Sequence, residues 1–262
     1  MTVITLTTDF GLRSGFVGIM KGVIYGIAPQ VKIVDISHAV APQDIREGAF
    51  TLQRAVPFFP AGSIHVYVVD PGVGTQRRPL AARLGDHYFV GPDNGMLTPF
   101  IEEAEQNKKS VEFVHLNNPK YWLPKVSRTF HGRDVFAPVS AYLASGVSLN
   151  AFGPRITDPV LLELPRPIKT EHGWTAHITV IDTFGNLATN LPAALLRGWS
   201  DIRVHLRGVE IIGLTESYGH KQPGDLIALV DSEDYLEIAV VNGSAAQKLG
   251  AAVGDSVEVV YR

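Results

Sequence analysis

Apolar and polar positions follow two different periods along the first part of the chain. Val3–Thr7, Val31–Ile36 and Ile64–Val69 are short β-rich runs, and the third is nearly all apolar, as in a strand buried on both faces. Between them, Phe16–Ala28 sets Phe16, Met20, Val23 and Ile27 at helical spacing. Asp44 and Glu47 read as an N-cap with its capping-box partner, opening a helix that ends near Pro57. Ala81–Leu84 and His87–Val90 flank Gly85-Asp86, a hairpin signal. Val111–Leu116 reads as a strand and Asp134–Ser145 as a helix stopped by Gly146. Strands separated by helices predict an α/β domain with a mostly parallel sheet.

The pattern changes after Leu164. Pro165-Arg166-Pro167, followed by Thr170-Glu171-His172-Gly173, predicts a linker over 165–173 between an N-terminal domain, 1–164, and a C-terminal domain, 174–262. Beyond the linker come Thr175–Ile181, Ile202–Leu206, Val209–Ile212, Leu226–Val230, Tyr235–Val240 and Ser256–Tyr261, all β-rich and separated by turn residues. Only Ala193–Arg197 and Ala245–Leu249 look helical there. A small all-β barrel or sandwich is expected.

Composition narrows the chemistry. The 262 residues are 45% hydrophobic and 19% charged, so the chain can bury a substantial core. It has no cysteine, which excludes disulfides, thiolate metal sites and a cysteine nucleophile. The net charge of −3 argues against a broad nucleic-acid surface. The nine histidines are scattered without metal-ligand spacing, so no metal site is expected. No targeting segment or bilayer-length apolar run is visible, which makes a cytoplasmic protein the expectation.

In open α/β sheets, ligands bind beyond the carboxyl ends of the strands. Asp9 follows the first apolar run and Asp70 the third, in Val69-Asp70-Pro71-Gly72-Val73-Gly74. Asp9 reads either as a cap on the helix near Phe16 or as a ligand-binding carboxylate. Asp70 reads either as a turn former before Pro71 or as a site residue. The loop lacks the lysine of a Walker A sequence and the spacing of a dinucleotide fingerprint. Arg77 is a surface arginine or a cation turned back to that loop. His131, in Thr129-Phe130-His131-Gly132-Arg133-Asp134, is a donor at a helix start or a catalytic group. In the second half, Asn186 follows Asp182-Thr183-Phe184-Gly185 and suits either a left-handed turn or a heterocycle; Tyr218, Ser232 and Asn242 lie in loops.

Taken in order, Thr8-Asp9-Phe10-Gly11, Met20-Lys21-Gly22, Val69-Asp70-Pro71-Gly72-Val73-Gly74-Thr75, Gly91-Pro92-Asp93-Asn94-Gly95, Thr129-Phe130-His131-Gly132-Arg133-Asp134, Asp182-Thr183-Phe184-Gly185-Asn186 and Tyr235-Leu236-Glu237-Ile238-Ala239 resemble the S-adenosylmethionine hydrolase family, also called S-adenosylmethionine hydroxide adenosyltransferases and related to fluorinases and chlorinases. The resemblance spans essentially the whole chain. It implies an N-terminal α/β domain and a C-terminal β-barrel, assembled as a homotrimer with substrate between the N-terminal domain of one subunit and the C-terminal domain of the next. It implies a catalytic set of Asp70, Arg77 and His131. Asp9 would bind ribose, and Asn186, Tyr218, Ser232 and Asn242 would contact the nucleoside. No cofactor is implied, since S-adenosyl-L-methionine is the substrate and adenosine and L-methionine are the products.

The implied chemistry is attack of water on ribose C5′. A sulfonium leaves without protonation, so the need is a base for the water, and Asp70 suits it. The related halogenases have tyrosine where Asp70 stands and a small hydroxyl residue where Gly132 stands; a carboxylate there repels halide. Ser14, Gln43 and the acidic Asp231-Ser232-Glu233-Asp234 depart from the family pattern, chiefly at the methionine end. Which sulfonium epimer is used stays open. A rival reading is a non-catalytic adenosine-binding module, which would need Asp9, Asn186 and Tyr218 but not Arg77 or His131.

Overall fold

The computed structural model describes residues 2–261. The chain divides into two compact units, Met1–Leu162 and Glu163–Arg262.

The first unit carries β1 (Val3–Thr8), α1 (Phe16–Ile27), β2 (Lys32–Ser37), α2 (Ile45–Ala55), β3 (Ile64–Val68), β4 (Pro79–Leu84), β5 (His87–Pro92), α3 (Thr98–Gln106), β6 (Val111–His115), α4 (Ala137–Ala144) and β7 (Arg155–Ile156). Its seven strands run in the order β2-β1-β3-β5-β4-β6-β7. The sheet is mixed rather than mostly parallel. β1 pairs parallel with β2 and β3, and β3 with β5, but the Gly85-Asp86 hairpin lays β4 antiparallel between β5 and β6. Every second residue of β3 faces one side. Ile64, Val66 and Val68 join a core with Val17, Met20 and Ile24 of α1 and Val139 and Ala141 of α4. Tyr67 and Val69 face a second core with Ala49 and Leu52 of α2 and Phe100 and Ile101 of α3. That two-sided burial explains why β3 reads as unbroken apolar sequence.

Local signals set the helix ends. Asp44 accepts from the Glu47 main-chain N–H at 2.9 Å, the cap expected from sequence, and α2 tightens into a 3₁₀ turn over Val56–Phe58 at Pro57. The helix expected from Asp134 instead begins with a π-helical turn, Gly132–Phe136, ahead of α4. Such turns are frequent at functional sites. α3 was not read from sequence, because Thr98-Pro99 follows Gly95 in what looks like loop. Its Pro99 lies in the first turn, where a missing N–H costs nothing.

The second unit carries β8 (Ile168–Lys169), β9 (Gly173–Ile181), β10 (Leu187–Pro192), β11 (Arg203–Leu206), β12 (Val209–Ile212), β13 (Leu226–Val230), β14 (Tyr235–Val240), α5 (Ala245–Leu249) and β15 (Ser256–Val260). The strands follow the path β12-β11-β15-β9-β10-β14-β13, with β8 on β9, and every pairing is antiparallel. The Thr215 N–H, just past β12, donates to Ala228 O of β13 at 2.7 Å, so the two ends of the path meet and the sheet is nearly barrel-shaped. Ala176, Ile178, Leu187, Leu191, Val204, Leu236, Ile238 and Val257 fill its interior.

Candidate active site

The first sheet reverses direction between β1 and β3. The chain steps from β1 out to β2, then crosses back to β3 on the other side of β1. Crevices at such switch points are where open α/β sheets bind ligands. Thr8 and Val68 are register partners at the ends of these strands, so Asp9 and Asp70 leave the same sheet edge side by side.

Asp9 does not cap α1. The N-cap there is Gly15, with no side-chain hydrogen bond, whereas Asp9 Oδ2 accepts from the Gln43 N–H at 2.8 Å. Gln43 takes a left-handed φ of 66° to present that N–H. The Asp70 main chain does form a turn, its carbonyl accepting from Val73 N–H at 3.3 Å, but its carboxylate does something else. Arg77 turns back and grips it twice, Nε to Oδ1 at 3.0 Å and a terminal nitrogen to Oδ2. Both side chains are buried, Asp70 at 5% and Arg77 at 8% exposure. The same terminal nitrogen lies 3.2 Å from His131 Nδ1, and the guanidinium stacks over the Phe136 ring with its carbon 5.4 Å from the centroid. Arg77 Nη1 is buried and has no partner among the described residues.

Arginine has only donors, so His131 Nδ1 must accept, and Nε2 carries the hydrogen of the neutral ring. Burial holds the His131 pKa below its ordinary value, the Arg77 charge pushes the same way, and Asp70 and Asp134 oppose them. A neutral imidazole is what this geometry requires.

Each member is fixed from behind. Asn94 donates to the Val69 carbonyl at 2.8 Å, steadying the residue before Asp70. Gly74, at φ +75°, lets the loop pass Arg128; a Cβ there would stand 2.1 Å from the Arg128 carbonyl oxygen. The fully buried Asp134 accepts from the Ser127 N–H at 2.7 Å and pairs with Arg133, which anchors the segment carrying His131. Burial would raise the Asp134 pKa, but Arg133 and Ser127 outweigh it and hold it below the usual carboxylate range.

In the second unit, Asp182 clamps the turn before β10. Its carboxylate accepts from the main-chain N–H groups of Phe184 and Asn186 at 2.9 Å each, and from Asn186 Nδ2 at 3.1 Å. Asn186 is therefore held by its side chain; the left-handed position is Gly185, at φ +81°. Tyr218 donates to Glu237 on β14 at 2.6 Å, and burial and then Glu237 push its phenol pKa up. The charges of Asp182 and Asp231 push it the same way. Ser232 is exposed, and Asn242, also exposed, takes a left-handed φ of 52°.

Sequence reasoning passed over Asp182, Glu237, Phe136 and His38. Glu237 had a signal: it sits between Leu236 and Ile238 on a strand, where a carboxylate 7% exposed needs a partner. Among the described residues, no group of three or more His, Asp or Glu is placed to hold a metal ion. No described helix is long and apolar enough to cross a membrane.

The profile of the SAM hydroxide adenosyltransferase N-terminal domain matches residues 4–153, and that of the C-terminal domain residues 176–258. An (R)-S-adenosyl-L-methionine hydrolase of Salinispora tropica is 39% identical over 260 residues, covering 98% of this chain and 97% of its own. A fluorinase of Nocardia brasiliensis is 27% identical, covering 98% and 96%. The crystal structure of an uncharacterized conserved protein from Thermotoga maritima superposes with a TM-score of 0.91 at 35% identity, covering 99% of this chain and 100% of that one. The chain belongs to the SAM hydroxide adenosyltransferase family.

Proposed function

We propose that this protein hydrolyses S-adenosyl-L-methionine, as the (R)-sulfonium epimer, to adenosine and L-methionine. The observation that carries this reading is the Asp70–Arg77–His131 constellation at the switch point of the sheet, with the Asp70 and Arg77 side chains buried. A water oxygen attacks ribose C5′, the C5′–S bond breaks, and its electron pair turns the sulfonium into a neutral thioether. The proton lost by the water goes to Asp70. Each Asp70 oxygen accepts from Arg77 and keeps a lone pair for that water. Arg77 Nη1 is a donor available to the developing hydroxide, and the buried guanidinium strengthens its pull because little water screens it. His131 fixes Arg77 from the other side and supplies Nε2–H as a further donor.

Asp9 takes the ribose hydroxyls, while Asn186, Tyr218, Ser232 and Asn242 contact the nucleoside. The proposed assembly is a homotrimer in which the N-terminal unit of one subunit and the C-terminal unit of the next share each substrate. The reaction is proposed to need no metal, because the leaving group is already cationic; turnover should be unchanged by a chelator. A cytoplasmic location belongs to the same reading. The name of the Salinispora relative supports the choice of epimer. The Asp70 carboxylate supports water over halide, since an anion at the attack position would meet like charge. Incubation with the separated epimers, followed by chromatography, tests the proposal. Equal amounts of adenosine and methionine from the (R)-epimer are expected; no adenosine from either epimer overturns it.

A further inference from the structure

Lys21, from the Met20-Lys21-Gly22 motif, has no part in the constellation above, yet a chain of polar contacts joins it to the loop of Asp9. Lys21 on α1 reaches Asp35 Oδ2 on β2 at 2.6 Å. The other Asp35 oxygen lies 3.1 Å from His38 Nε2. His38 Nδ1 is 2.8 Å from Thr8 Oγ1, the last residue of β1. Thr8 Oγ1 accepts from the Phe10 N–H at 3.2 Å, and the His38 carbonyl accepts from Gly11 N–H at 2.8 Å. His38 therefore holds the residues on both sides of Asp9, one through its ring and one through its main chain.

The Asp35–His38 contact is electrostatic, since His38 Nε2 has no hydrogen-bond partner among the described residues; the carboxylate favours the ring hydrogen on Nε2, which leaves Nδ1 to accept the Thr8 hydroxyl hydrogen. Thr8 Oγ1 then has a lone pair for Phe10 N–H. Burial pushes the Asp35 pKa up, but Lys21 and His38 outweigh it and hold the carboxylate ionised. The His38 side chain is 3% exposed, whereas Lys21 and Asp35 are 31% and 36% exposed. A pair so exposed adds little to folding stability by itself. Its consequence lies in orienting a buried imidazole.

We propose that Lys21, Asp35 and His38 are positioning residues that set the Asp9 carboxylate for the ribose hydroxyl pair. This rests on the reading of Asp9 as the ribose-binding residue. The Gln43 N–H fixes one Asp9 oxygen, and the His38 chain fixes the backbone that carries it.

The test is calorimetric titration of adenosine and of 2′,3′-dideoxyadenosine into the intact protein and its Lys21→Met and Asp35→Asn variants. Both substitutions are at the surface, and circular dichroism checks that the variants fold. The variants should bind adenosine about 3–10-fold more weakly, in keeping with one charge-assisted hydrogen bond lost at a distance. Their affinity for the dideoxynucleoside should stay within about twofold, and Lys21→Arg should restore adenosine binding. An equal loss for both nucleosides, or no loss for either, overturns the proposal. A wild-type protein that binds the two nucleosides equally well instead overturns the Asp9 reading, and the proposal with it.

Discussion

Replacing Asp70 by Asn separates the two jobs assigned to that carboxylate. The substitution keeps the shape and leaves one carbonyl oxygen to accept from Arg77, but it removes the charge. Asp70 and Arg77 are 5% and 8% exposed, so the guanidinium loses its counter-ion inside the protein. Breaking a buried ion pair by removing one partner costs on the order of 3–5 kcal/mol, and the retained acceptor should bring this to the low end or below. The contact between Arg77 and His131 remains, but His131 loses the charge that opposes Arg77, so its pKa falls further. Loss of the general base should lower turnover by about 10²–10⁴-fold. Adenosine affinity should change by no more than about twofold, because Asp9 and the second unit are untouched. Urea unfolding, chromatographic assay of adenosine release and adenosine titration read these three quantities separately. The Asp70→Asn/Arg77→Gln double variant should be less destabilised than the sum of the single variants, since it leaves no lone charge. A single variant that retains more than about a tenth of wild-type turnover refutes the role of Asp70 as base. Unchanged stability refutes the argument from burial.

Three further outcomes follow from the geometry. Protonating His131 would set a donor against the Arg77 donor, so kcat/KM should fall on the acid side as pH drops through a pKa below 6.5, and His131→Gln should abolish that fall. Gly74→Ala should destabilise by roughly 1–3 kcal/mol and cut turnover more than about tenfold, as measured by thermal melts and activity, because its Cβ meets the Arg128 carbonyl at an unfavourable φ. His65 is buried, bonded to Thr5 and beside His87, and burial chiefly, with the His87 charge, lowers its pKa from 6.5 to about 3. The unfolded chain takes up that proton below pH 6.5 and the folded chain does not until about 3, so stability should fall with pH across this window by up to about 1.4 kcal/mol per unit. His65→Asn should flatten that slope in urea titrations, and an unchanged slope would show that His65 does not contribute to it.

The sequence by itself determined a good deal of this protein. Unbroken apolar runs marked buried strands, Asp44 and Glu47 marked a helix start, and Gly85-Asp86 marked the hairpin, because these depend on neighbours a few residues away. It also placed Asp9 and Asp70 at strand ends and brought Arg77 and His131 forward as candidates, through ordered motifs that resemble one family. Two local alternatives stood open for each of them, cap or site, turn or site. Only the tertiary structure supplies their side-chain partners, since these lie far along the chain. Gln43 is 34 residues from Asp9, and His131 is 54 from Arg77. The mixed sheet has the same cause: whether β4 inserts beside β6 is a matter of long-range pairing, which no local period records. The contacts of Asp182 and His38 were likewise invisible as pattern, because a buried polar group acquires meaning only from the atom packed against it.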